Sequence, residues 1–138
     1  MRRFLIWFII FFIAYCAFFI YTHNYFSNNP RRIVIAIDTS IKMKNKAVFL
    51  TKKINSELHR RYTVHTIITD KSRLFSWTDK PAITKNLKFY GPSNPEKLID
   101  INQYPELLEA DQIICFLVKG TDLRIIKQAL PKAKIITL

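Results

Sequence analysis

Ile33-Val34-Ile35-Ala36-Ile37-Asp38-Thr39-Ser40 opens with five consecutive apolar residues, four of them β-branched, and stops abruptly at an acid and two hydroxyls. A run of this kind suits a strand buried on both faces, as at the centre of a parallel sheet. Downstream, Met43, Ala47, Leu50, Ile54 and Leu58 recur at intervals of four, three, four and four. They predict one amphipathic helix, with Lys46, Lys52, Lys53, Arg60 and Arg61 on its solvated side. Thr63-Val-His-Thr-Ile-Ile-Thr69 reads as a second strand, and Asp70-Lys71-Ser72 turns it into a hairpin with residues 73–77. Residues 87–90 suggest a further short strand between breakers. Pro95-Glu96 and Pro105 open short helical turns. Gln112-Ile-Ile-Cys-Phe-Leu-Val118 is another buried strand, followed by a helix over 123–130 and a last strand at 134–138. This order predicts an α/β fold: a small, open, three-layer α/β/α domain over residues 31–138 with a mostly parallel sheet.

In such sheets ligands bind beyond the carboxyl ends of the strands. That rule gathers Asp38, Thr39 and Ser40, then Thr69 and Asp70, then Lys119, Gly120, Thr121 and Asp122. The candidate cluster is Asp38, Thr39, Ser40, Lys42, Lys119 and Asp122. Asp38 with its neighbouring hydroxyls has the oxygen ligands that a hard cation takes. The same three residues also serve as ordinary caps for the following helix.

A buried strand ending in Asp38-Thr39-Ser40 resembles the start of a von Willebrand factor A-type domain, whose Asp-x-Ser-x-Ser motif forms a metal-ion-dependent adhesion site. The order of elements over most of residues 33–138 is similar as well. The resemblance implies a domain that mediates protein contacts. Asp38 and Ser40 match the first two motif positions, Lys42 stands at the third, and Lys119 stands where the family carries an aspartate. Thr84 corresponds to its distant threonine. Lysines at two ligand positions repel a divalent cation, so the resemblance implies a degenerate, metal-free site with an ammonium beside Asp38.

Other chemistry is sparse. His23, His59 and His65 are scattered, and no Cys/His spacing suits a metal. With only two glycines the chain has no phosphate-cradling loop and no nucleophile elbow. No cofactor is expected. Cys16 and Cys115 lie in separate apolar runs and do not predict a disulfide. Phe75 and Trp77 on the hairpin are candidate partner surface, with core packing as the alternative.

The net charge of +12 is unevenly placed. Residues 31–61 hold nine Lys/Arg against two acids, a net +7, whereas residues 91–118 have a net −4. A basic half of this kind suits anionic lipid headgroups. Nucleic acid is the sharper alternative, but residues 31–61 lack the interleaved aromatics and glycine hinges that would favour it.

Upstream, residues 4–21 are an unbroken apolar run after Met1-Arg2-Arg3. Eighteen helical residues rise roughly 27 Å, close to the thickness of a bilayer's hydrocarbon core. Trp7 and Tyr21 near its ends suit the headgroup level. A cleaved signal peptide begins similarly, but the run exceeds a signal core and no small-x-small site follows. We therefore expect residues 1–3 in the cytoplasm, a transmembrane helix at 4–21, a linker at 22–30, and the domain on the far side. The setting this implies is a bacterial inner membrane with a periplasmic domain. Arg2 and Arg3 favour that orientation, against Arg31 and Arg32. The function expected is a single-pass, non-catalytic module contacting other subunits of a membrane complex. The alternatives are a tethered metal-dependent hydrolase using Asp38 and a basic nucleic-acid-binding module.

Overall fold

The computed structural model describes residues 2–79, 81, 83 and 87–138. The chain divides into two compact units, Met1–Pro30 and Arg31–Leu138.

The first unit is a single helix, α1, at Arg2–Asn28. It is long and apolar enough to cross a membrane, and its apolar side chains stay exposed along its length, Phe4 at 79% and Tyr21 at 68%. Most of the linker expected at 22–30 is helical, because α1 continues through Asn28. Nothing between Thr22 and Ser27 forbids helical dihedrals, and the Thr22 hydroxyl donates back to the Phe18 carbonyl at 2.7 Å. Asn29 closes the last turn by donating its backbone N–H to the Tyr25 carbonyl at 3.0 Å, and Pro30 then stops the helix.

The second unit is a five-stranded sheet. Its strands are β1 (Arg31–Ile37), β2 (Thr63–Thr69), β3 (Arg73–Thr78), β4 (Gln112–Leu117) and β5 (Ala133–Thr137), in the spatial order β3-β2-β1-β4-β5. All neighbours are parallel except β3, which runs antiparallel to β2. Ile35 of β1 lies between Ile67 of β2 and Ile114 of β4, all fully buried. Helices cover both faces, so the strands need no polar alternation. One face packs Ile33, Ile35 and Ile37 against α2 (Ala47–Leu58) through Leu50 and Ile54. The other packs Val34, Ala36 and Cys115 against α3 (Glu106–Glu109), α4 (Leu123–Ala129) and the 3-10 turn Pro95–Ile99.

Three local readings change. The predicted helical stripe begins as a 3-10 helix, Ile41–Lys46, before α2, with Met43 buried beneath it. No strand forms at residues 87–90, although Tyr90 donates its N–H to the Thr39 carbonyl at 3.0 Å and the Gly91 carbonyl accepts from Ile41. Register shifts between β2 and β3 break the hairpin's alternation, sending Phe75 to the α2 face and Trp77 to the opposite one.

Candidate functional site

β1 and β2 are parallel neighbours, so their carboxyl ends deliver Asp38-Thr39-Ser40 and Asp70-Lys71 to one place. The strand order reverses direction at β1, which puts the loop after it at the topological switch point. Asp38, Ser40 and Asp70 are fully buried. Asp38 Oδ1 accepts the Ser40 backbone N–H at 2.9 Å, a local turn that holds the carboxylate inward. Its Oδ2 accepts the hydroxyl of Ser93, from the loop that follows Gly91 and Pro92. The Ser40 hydroxyl is buried with no hydrogen-bond partner.

Asp70 forms the second half of the cluster. Its Oδ1 accepts the Thr39 N–H at 2.9 Å and the Thr39 hydroxyl at 2.7 Å. Its Oδ2 receives the Lys71 ammonium at 2.6 Å, and the same ammonium donates to the Pro92 carbonyl at 2.7 Å. Burial alone would raise the Asp70 pKa, but the hydrogen bonds from Lys71 and Thr39 outweigh it and hold the carboxyl below its ordinary range. Beneath the cluster, Tyr104 donates its hydroxyl to the Thr69 carbonyl at 2.8 Å. Burial, and then the charge of Asp70, push that phenol's pKa up. An open depression of about 330 Å3 adjoins the cluster, lined by Thr39, Thr69, Lys71, Ser72 and Tyr90 among others.

The structure thus gathers three of the six sequence-predicted residues. Lys42 and Lys119 are exposed, and the partners of the Asp38 carboxylate are the Ser40 N–H and the Ser93 hydroxyl instead. The ammonium in the cluster belongs to Lys71 instead. Asp122 is also exposed. It caps α4, accepting the Arg124 N–H at 2.9 Å and pairing with its guanidinium. Thr84 lies outside the described residues. Phe75 and Trp77 are half-buried against the two cores, and Trp77 Nε1 donates to Glu109 at 3.2 Å. Asp70 was visible through the strand-end rule. Lys71 and Ser93 carried no signal, since a turn lysine and a loop serine are commonplace.

The residues present do not fit the divalent cation that the resemblance implies for an intact motif. Asp70 is neutralised by Lys71, and each oxygen of Asp38 accepts one protein donor, so a cation here would meet an ammonium beside a single free carboxylate. Among the described residues no group of three His, Cys, Asp or Glu gathers to hold a metal.

No family model matches the chain. No solved structure matches it either. The chain is similar to the chromosomal replication initiator protein DnaA of Buchnera aphidicola subsp. Cinara cedri (strain Cc), 35% identical over 71 residues. That similarity takes in 48% of this chain but only 16% of the length of the relative.

Proposed function

We propose that the chain is a single-pass, membrane-anchored α/β module that makes protein contacts within a membrane-associated assembly. The observation that carries this is α1, whose large apolar side chains are exposed from Phe4 to Phe26. Such a surface in water is unfavourable by about 25 cal/mol per Å2, and a bilayer removes that cost. The order of elements in the second unit supports a degenerate von Willebrand factor A-like domain. The carboxylates of its strand-end cluster are held by the protein's own donors, which suits contact more than turnover. The hydrolase alternative would need Asp38 to take a metal alongside the Ser40 and Ser93 donors it already accepts. The proposed setting is an inner membrane, with Arg2 and Arg3 cytoplasmic and the domain periplasmic.

Purification from the native membrane in mild detergent tests the proposal. Alkali-resistant membrane association with stoichiometric co-purifying proteins is expected. A chain that is extracted by alkali, or emerges alone and monodisperse, refutes it.

The net charge of +12 and the similarity to a chromosomal replication initiator favour a second reading, nucleic-acid binding. It requires affinity for duplex or single-stranded DNA that falls steeply with salt. Binding of that kind, without membrane association, would replace the first reading.

A further inference from the structure

The outer face of the Ile41–Lys46 turn and α2 is both apolar and basic. Leu50 and Ile54 turn inward to the sheet, so Val48 and Lys52 point away from it. Val48 is 87% exposed, Ile41 62% and Phe49 50%. Lys42, Lys44, Lys46, Lys52 and Lys53 surround these side chains, and residues 39–56 contain no acid. Among the described residues none of the five pairs with a carboxylate, and Lys53 instead lies over the Phe49 ring at 5.6 Å from its centroid.

We propose that this face rests on an anionic lipid surface, with Ile41, Val48 and Phe49 entering the headgroup boundary and the lysines meeting lipid phosphates. Charge and polarity together select that occupant. A second copy of the chain would bring five lysines against five. A nucleic-acid backbone would match the lysines but offer nothing to an 87% exposed valine. A bilayer boundary takes both. Only Asn29 and Pro30 separate α1 from β1, so a helix embedded in the membrane keeps the domain within reach of it. In this the inference rests on the proposed anchor. Each lysine near an anionic surface is worth about fivefold in partitioning.

The test is surface acylation of the full chain in bilayer discs of phosphatidylcholine alone, or with roughly one-third phosphatidylglycerol, read by mass spectrometry. Lys127, exposed on α4 against the opposite sheet face, serves as the internal reference. We expect the five lysines to react at least threefold more slowly in the anionic discs, Lys127 to be unchanged, and high salt to reverse the slowing. Val48→Asp, a change at a side chain with no core contact, should abolish it. Equal rates in both discs overturn the inference, as does slowing that survives Val48→Asp. Slowing that appears in both discs and grows with protein density assigns the face to a second copy and overturns it too. Alkaline extraction of the same discs reports on α1 separately: a chain that is extracted refutes the anchor, while the lysine rates still decide the face.

Discussion

Lys71→Met removes the ammonium of the strand-end cluster and keeps most of its stem. Asp70, fully buried, then holds only the Thr39 N–H and hydroxyl. The bond lost to the carboxylate, 2.6 Å long, is charge-assisted and worth about 1.5–3 kcal/mol. The bond lost to the Pro92 carbonyl adds about 1 kcal/mol. The surviving Thr39 bonds keep the total toward the low end of the roughly 3–5 kcal/mol that orphaning a buried charge costs. We therefore expect a loss of about 3 kcal/mol, roughly 10–20 °C in Tm for a domain of this size. Cys115 reports on it: buried in β4, its thiol pKa is pushed up to about 12 by burial, so it reacts only when the sheet opens. Labelling of the full chain in detergent across a urea series, with Cys115 and Cys16 resolved by mass spectrometry, gives the midpoint. Adding Asp70→Asn should restore about 1–2 kcal/mol by removing the stranded charge. A native midpoint in Lys71→Met, or additive damage in the double variant, refutes the reasoning. The acid limb gives a second check. Asp70's folded pKa lies below 3.8, so its contribution is present above 3.8 and lost as pH falls toward the folded value. In Lys71→Met the folded pKa rises toward or past the unfolded value, so this part of the acid limb flattens or reverses.

Other outcomes follow from single positions. His65 is buried, and burial lowers its pKa below 6.5. The unfolded chain binds that proton first, so stability falls as pH drops through 6.5, by at most about 1.4 kcal/mol per pH unit; His65→Phe should flatten this limb of a pH series of urea midpoints. Gly91 has φ +69°, where a Cβ is strained, so Gly91→Ala should cost about 1 kcal/mol and loosen the loop carrying Ser93, read as a lower midpoint and faster exchange of the Tyr90 amide. Asp122→Ala removes the α4 cap, and hydrogen exchange at Arg124 should speed several-fold, with the Asp38 cluster unchanged.

The fold was legible because its three central strands, β1, β2 and β4, are buried on both faces. An unbroken run such as Ile33–Ile37 has no reading as an exposed element, and the period of α2 survives in Leu50 and Ile54. What stayed hidden was local geometry. Periodicity places Phe75 and Trp77 on one face, but irregular pairing with β2 adds residues to β3 and divides them. Polar composition suggested that residues 22–30 form a linker, and its first part is helical because a helix already nucleated over a long apolar run propagates cheaply until Pro30.

The strand-end cluster shows why a motif read along the chain chose the wrong cations. Lys42 and Lys119 were selected because they occupy ligand positions in a linear pattern, but each falls on an exposed segment after its strand has ended. Parallel pairing is what brings a charge to Asp38's neighbourhood. β2 ends in register with β1, Ile37 opposite Thr69, so Asp70 follows directly beside Asp38 and Thr39. The turn into β3 then carries Lys71 back over the same edge, where Pro92 supplies the second acceptor. An ammonium held by its own hairpin neutralises the second carboxylate without recruiting anything from solution. Apart from the Ser40 hydroxyl, the strand end is satisfied by its own groups, and Tyr90, Lys71 and Ser72 line the depression beside it.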